Sequence, residues 1–305
     1  MRTVNMTLAV GPPIGRTHAL VAMARPSQLT LVVLVYATGL LLGVARGATV
    51  DDARVAVVSV LLLLAAVASH WANEAADAET DARSVRTPFS GGSGALARST
   101  LDPSVPLRLS LTLAVGVGLV AVAALAAGWL GALAASLLLV GLVGGLAYSL
   151  PPVAAMRRGW GEPLNALLGG LALPLFGVAV MRDRIEPLDV LAFLPFTAIA
   201  WCSVMATAWP DRAADGATGK LTLQVRWPAA RLQRLHAAIA AAWLALTVLA
   251  IVADAAPGAV AGLAVLPLVL LGVARYTRRT SPWASVAAMV LCISITTVTL
   301  IAAVR

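Results

Sequence analysis

Long apolar runs follow one another along the chain, separated by short polar stretches. A helix needs about 20 apolar residues to cross a bilayer. Runs of that kind stand at about Leu29–Val44, Val55–Ala72, Leu107–Ala127, Leu130–Leu150, Pro163–Met181, Leu188–Trp209, Leu235–Ala253, Gly258–Ala274 and Trp283–Val304. The pattern predicts an all-α, polytopic membrane protein with nine transmembrane helices in one bundle. The first run is short, and Pro26 is placed to start it. Gly128 and Asp254–Pro257 mark two tight turns. Gly141, Gly144, Gly145, Gly169 and Gly170 suggest close helix contacts. Residues 1–25 read as a short lead-in. Their apolar run, Met6–Ile14, is too weak for a cleaved signal peptide.

Composition narrows the class. Hydrophobic residues make up 60% of the 305 positions and charged residues 12%. Soluble domains carry roughly a quarter charged. Residues 1–305 therefore read as a single membrane domain rather than a soluble enzyme with an anchor. Placing the N-terminus inside puts 17 of the 22 lysines and arginines on inner segments. Arg46, Arg54, Arg182, Arg184 and Arg305 are left outside. That bias predicts a multi-pass protein of the cell membrane with a cytoplasmic N-terminus. The net charge of +8 is explained by these loop arginines, and nucleic acid is not implied. Cys202 and Cys292 fall inside apolar runs, with neither a disulfide framework nor metal spacing.

The polar interruptions carry the candidate chemistry. Two inner loops are long, about residues 73–106 and 210–234. The first opens Asn73-Glu-Ala-Ala-Asp77-Ala-Glu-Thr-Asp81, spaced i, i+4, i+8. If the membrane helix continues through them, these residues share one face. The second opens on Asp211 and Asp215. Each acid lies 134 positions after its counterpart in the first loop. This points to an internal repeat of a four-helix unit, with a site around a central cavity where the halves meet. Oxygen ligands in such rows suit a hard cation such as Mg2+, which in turn suits phosphate. Two such ions facing each other could bridge a diphosphate and stabilise it as a leaving group. Arg86, Arg157, Arg158, Arg212 and Lys220 lie on the same loops and could share that work. For any single arginine, setting topology is the commoner role; Lys220 stands apart as the only lysine in the chain. Trp71, Trp160, Trp201 and Trp209 stand near inner helix ends. They could face a developing cation, although an interfacial belt is the more frequent role.

These residues resemble the UbiA-type superfamily of intramembrane prenyltransferases. The first motif, N-x-x-x-D-x-x-x-D, is Asn73, Asp77, Asp81. The second runs from Asp211 and Asp215 through Gly219-Lys220-Leu-Thr222-Leu223-Gln-Val225-Arg226. Between them stands Tyr148-Ser149-Leu-Pro151-Pro152, followed by Arg157 and Arg158. Pro88–Gly94 is similar to the segment after the first motif in menaquinone-type members. Three places depart from the family pattern: Thr207 where an Asn or Asp is common, Met156 where a Lys is common, and Ala208-Trp209-Pro210 before the second motif. Proline there should break or kink the sixth helix just before its acids.

The resemblance implies Mg2+-dependent transfer of a polyprenyl group from its diphosphate to a small aromatic acceptor, as in quinone biosynthesis. It implies metal ligation by Asn73, Asp77, Asp81, Asp211 and Asp215. Arg86, Arg157 and Lys220 would bind the diphosphate, with Asn73 beside them, and Tyr148 would face the reacting carbon or a diphosphate oxygen. A non-aromatic acceptor, cyclisation of the prenyl chain, or a cation-coupled transporter are the competing readings.

Overall fold

The computed structural model describes residues 12–305. Arg2 and the first part of the lead-in lie outside the described residues. Fourteen α-helices follow: α1 (Arg16–Met23), α2 (Pro26–Ala45), α3 (Asp52–Ala76), α4 (Ala78–Asp81), α5 (Ser104–Ala126), α6 (Ala132–Ser149), α7 (Gly161–Leu167), α8 (Leu173–Arg182), α9 (Pro187–Ala208), α10 (Arg212–Ala217), α11 (Leu223–Arg226), α12 (Ala229–Val252), α13 (Leu266–Arg275) and α14 (Trp283–Ala303). A π-helical turn, Leu168–Ala172, joins α7 to α8, and a 3-10 stretch, Ala259–Val265, leads into α13. Among the described residues eight helices are long and apolar enough to cross a membrane. The segment Ala259–Arg275 is a shorter ninth. The all-α polytopic bundle is the expected one.

Local sequence explains the helix starts. Pro26 and Pro187 occupy first helical positions, where a missing N–H costs nothing. Glu186 and Asp189 form a reciprocal capping box on α9. Asp51 accepts the Arg54 amide at the start of α3.

The two largest apolar clusters lie one in each part of the bundle. One joins α2, α3, α5, α6 and α8 through Tyr36, Leu61, Val117, Leu138, Leu142 and Phe176. The other joins α9, α12, α13 and α14 through Ile199, Met205, Trp243, Val269 and Ile293. Helices α2 and α8 are in backbone contact: a Cβ on Gly39 would collide with the Pro174 carbonyl, and one on Gly177 with the Tyr36 carbonyl. The glycines singled out from sequence divide. Gly144, Gly145 and Gly170 abut Leu168, Ser69 and Thr197, whereas Gly141 and Gly169 face open space. Gly39→Val should therefore abolish or severely reduce folded protein, since overpacking against backbone leaves nothing to yield. Gly141→Val should leave the yield and melting temperature near wild type. Size-exclusion profiles and thermal melts of the two variants check this.

The repeat is visible in the helices. α2, α3 and α4 each lie about 134 residues before α7–α8, α9 and α10. The two short helices meet: the Thr80 and Thr218 hydroxyls are 2.8 Å apart, and Arg83 Nη1 donates to the Ala217 carbonyl at 3.1 Å. One end of the bundle thus carries both polar loops against each other.

Candidate active site

The first acidic set does not ride on one unbroken helix. α3 ends at Ala76, and Asp77 caps it with φ −98° and ψ 4°. α4 then carries the chain to Asp81. An Asp81 amide to Asp77 carbonyl bond of 2.8 Å keeps the turn tight. Arg157 Nη2 donates to the Ala76 carbonyl at 3.0 Å, satisfying one carbonyl at the open end of α3. In the second set, α9 stops at Ala208, as Pro210 requires, and Asp211 stands at the start of α10. Gly219, at φ +71°, turns the chain back, and the Lys220 amide bonds the Asp215 carbonyl at 2.9 Å.

The halves converge on Lys220. Its Nζ lies 3.1 Å from Asp77 Oδ2 and 3.4 Å from Asp215 Oδ1, in buried surroundings. Thr222 Oγ1 reaches Asp215 Oδ2 at 3.4 Å. The Asn73 carboxamide nitrogen donates to Asp77 Oδ2 at 3.0 Å and to Ser149 Oγ at 3.1 Å. The Gly91 amide donates to Asp211 Oδ2 at 3.2 Å. The backbone at Gly92 lies so close to Asp81 that a Cβ there would collide with the carboxylate. The residues that sequence placed in two distant motifs thus belong to one polar site.

Its electrostatics are unbalanced. Among the described residues Asp77 Oδ1 and Asp211 Oδ1 are buried without a hydrogen-bond partner, and Asp215 Oδ1 has only the 3.4 Å ion pair with Lys220. Burial, then Asp77 and Glu74, pushes the Asp81 carboxyl up to about 7, against Arg25 and Lys220. Burial pushes Asp215 up to about 6, with Lys220 opposing and Asp211 and Asp77 adding to it. Asp211 is also raised, chiefly by burial. One lysine cannot compensate these carboxylates. A divalent cation taking hard oxygen ligands fits the unpartnered atoms. Among the described residues no three such side chains already form a ligand cage.

The remaining predicted residues flank this centre. Tyr148, half-buried at the end of α6, packs its ring near Gly161; its hydroxyl has no hydrogen bond among the described residues. Arg86 lies against Gly94 and Gly91. Arg157 also accepts the Leu221 amide on its carbonyl at 3.1 Å, and the Arg158 carbonyl accepts from Arg226 at 2.8 Å, so the loop after α6 is stitched to the Lys220 segment. Met156 Sδ stands 3.8 Å from the Asn73 carboxamide nitrogen, and Thr207 bonds its own helix at the Val204 carbonyl, 3.0 Å away. The tryptophans divide. Trp71 donates to the Leu20 carbonyl, Arg212 stacks on Trp209, and Trp160 is 68% exposed. Trp201 is half-buried on α9, and its indole nitrogen is buried without a partner among the described residues.

Three residues in the site had no assigned role in the sequence reading. Glu74 and Arg25 form a 2.6 Å ion pair, and Arg25 Nη2 also donates to Asn73 Oδ1 at 3.0 Å. Buried Glu162 accepts the Leu223 amide at 3.1 Å and so helps seat the Lys220 segment. Glu74 sits beside Asn73 in sequence, which is a usable signal. Nothing local marks Arg25 or Glu162.

A helical membrane bundle with two repeat-related acidic clusters and a shared lysine at one end defines a narrow structural class. The chain belongs to the UbiA prenyltransferase family, whose pattern matches residues 31–295. Solved structures agree on the fold. A UbiA homologue from Archaeoglobus fulgidus bound to DMAPP and Mg2+ has a TM-score of 0.65 at 15% identity, over 93% of this chain and 98% of that one. The same homologue bound to GPP and Mg2+ gives 0.65 at 16% identity, over 94% and 99%. A structure of digeranylgeranylglyceryl phosphate synthase gives 0.62 at 12% identity, over 94% and 97%. Among curated proteins no relative matches the chain.

Proposed function

We propose that this chain transfers a prenyl group from a prenyl diphosphate to an acceptor, with a small aromatic quinone precursor as the favoured acceptor class. One observation carries the reading: acids from both halves, Asp77 and Asp215, meet on the only lysine of the chain. The Mg2+ bound with prenyl diphosphates in the Archaeoglobus fulgidus homologue supports the choice of cation.

Asp77, Asp81, Asp211 and Asp215 would hold Mg2+, with Asn73 orienting Asp77. When bound, the ions supply positive charge to the departing diphosphate. Lys220 and Arg86 bind diphosphate oxygens, and Arg157 fixes the loop that presents them. The C–O bond breaks with its electron pair leaving on the diphosphate. The acceptor attacks the prenyl carbon, and its ring then loses a proton. Tyr148, whose ring lies near Gly161, would contact the diphosphate or the reacting carbon.

A transporter would carry its acids nearer mid-span. Here they stand at the ends of α3 and α9, which favours the enzyme. The test is purified protein with Mg2+, a radiolabelled prenyl diphosphate and a panel of aromatic acids and non-aromatic alcohols. Label should move into one acceptor class, and EDTA should stop it. Unconsumed diphosphate with every acceptor, or full turnover in EDTA, contradicts the proposal.

The basic bias supports a cytoplasmic position for this end of the bundle. Val85, 63% exposed in the first loop, is a suitable reporter, whereas Ser93 is buried. In a cysteine-free background, Val85→Cys should react with an impermeant thiol reagent only after the cells are opened. Labelling of intact cells reverses the orientation.

A further inference from the structure

Between Arg86 and Ala95 the chain lies directly on both acidic clusters, and it is fastened from below by an acid that is not free to bind metal. Gly91, Gly92 and Gly94 all have positive φ, at 81°, 62° and 66°, so the segment is shaped by glycine. Its Gly91 amide bonds Asp211, and its Gly92 backbone rests on Asp81. The fastening is Glu74. Its Oε1 accepts Arg25 at 2.6 Å and the Ser93 amide at 2.9 Å; its Oε2 accepts the Ser93 hydroxyl at 2.5 Å. The Ser93 oxygen in turn accepts the Ala95 amide at 3.1 Å. Both oxygens of Glu74 are therefore used, although it is the first acid of the acidic stretch.

Arg25 is itself fixed. It holds a left-handed conformation, φ 53°, at the corner between α1 and α2. Around it α1 is tied down at three points. His70 Nδ1 pairs with the Ala24 carbonyl at 2.7 Å, Trp71 donates to Leu20, and the Ile14 amide donates to the Arg98 carbonyl at 2.9 Å. Ala19 and Met23 of α1 pack on Ala95. A non-glycine residue held in this region costs about 1 kcal/mol or more, so its surroundings must specify it.

We infer that Glu74, with Arg25 and Ser93, is a positioning device for the reaction proposed above. It seats the 87–95 segment across both acidic clusters and keeps Arg25 on Asn73 rather than on the acids that would take the cation. It rests on the prenyl-transfer reading for its effect on metal use, but not for its effect on the segment. Outer-sphere partners of metal ligands typically change metal affinity by 10–100-fold when removed. The charge of Glu74 matters as well as its shape. Without it, the Arg25 guanidinium is released beside Asp77 and Asp81 and competes with Mg2+.

The experiment has two arms. The first is hydrogen–deuterium exchange of peptide 87–95 in Mg2+-free protein, where the amides of Thr87, Phe89, Ser90, Gly91, Ser93 and Ala95 are all bonded. Glu74→Gln and Ser93→Ala should each speed exchange there by about tenfold or more, with other peptides unchanged. Glu79→Gln, at an exposed pair with Arg83, should change nothing. The second arm is the Mg2+ concentration for half-maximal turnover, which should rise by about tenfold in Glu74→Gln and less in Ser93→Ala. Wild-type exchange in both variants overturns the inference whatever the activity. Faster exchange with an unchanged Mg2+ requirement reduces Glu74 to a purely structural role and overturns it too. Faster exchange in a protein that transfers no prenyl group leaves the seating intact and removes the proposed function instead. If Glu74→Gln does not fold, Ser93→Ala decides alone.

Discussion

Asp81→Asn should lose turnover by on the order of 10²- to 10³-fold while its fold, without metal, becomes no weaker. The two effects have opposite signs for one reason. Burial and the neighbouring Asp77 raise the Asp81 carboxyl to about 7. A carboxyl whose folded value lies above its unfolded value weakens the fold as pH rises through that folded value, because only the folded state resists the charge. Asparagine keeps the shape and never ionises. At pH 8 in EDTA the variant should melt at or above the wild-type temperature. Addition of Mg2+ should then stabilise wild type and do less for the variant. A variant that melts several degrees lower would show Asp81 holding the fold together and not awaiting a cation.

Lys220→Met should behave in the reverse way. The lysine is the cation shared by Asp77 and Asp215, both buried. Removing one partner of a buried ion pair costs about 3–5 kcal/mol. Proton uptake by Asp215, whose carboxyl burial already raises, limits the loss. A melting temperature lower by roughly 5 °C or more in EDTA is expected at pH 8. Mg2+ should restore it, and by a larger shift than in wild type, because the lysine no longer competes for the same oxygens. Affinity for the prenyl diphosphate should fall by about 10- to 100-fold, the loss of a charge-assisted contact, and Lys220→Arg should recover part of it. Equal melting temperatures and equal Mg2+ shifts in variant and wild type would remove Lys220 from the centre of the site.

The spans were legible because a membrane segment announces itself by length and apolarity alone. The two motifs were legible because acids at fixed spacing on inner loops are rare there, and a constant offset of 134 repeats them. The break at Asp77 was not legible. No proline or glycine marks it, and Arg157, brought from 81 residues away in sequence, satisfies the carbonyl that the break exposes. The glycine seam was half legible. Gly39 and Gly177 meet across the repeat, but nothing local distinguishes them from Gly141, which meets nothing. Arg25 and Glu162 were hidden for a similar reason: their roles exist only through Glu74 and Leu223, distant partners that the fold supplies. Helix α1 is eight residues long, and its tie to Trp71 and Arg98 runs through backbone carbonyls that no side-chain pattern reveals.

The central claim is that the two acidic clusters act as one site. Residues that work as a unit are strongly non-additive in activity. The most direct test is the single-turnover rate of prenyl transfer at saturating Mg2+ for wild type, Asp81→Asn, Asp215→Asn and the double variant. Each single variant should lose most of the rate, with the double little slower than either. An Asp215→Asn enzyme near wild type beside a dead Asp81→Asn enzyme would contradict it, and would leave the second acidic pair as no more than a helix end.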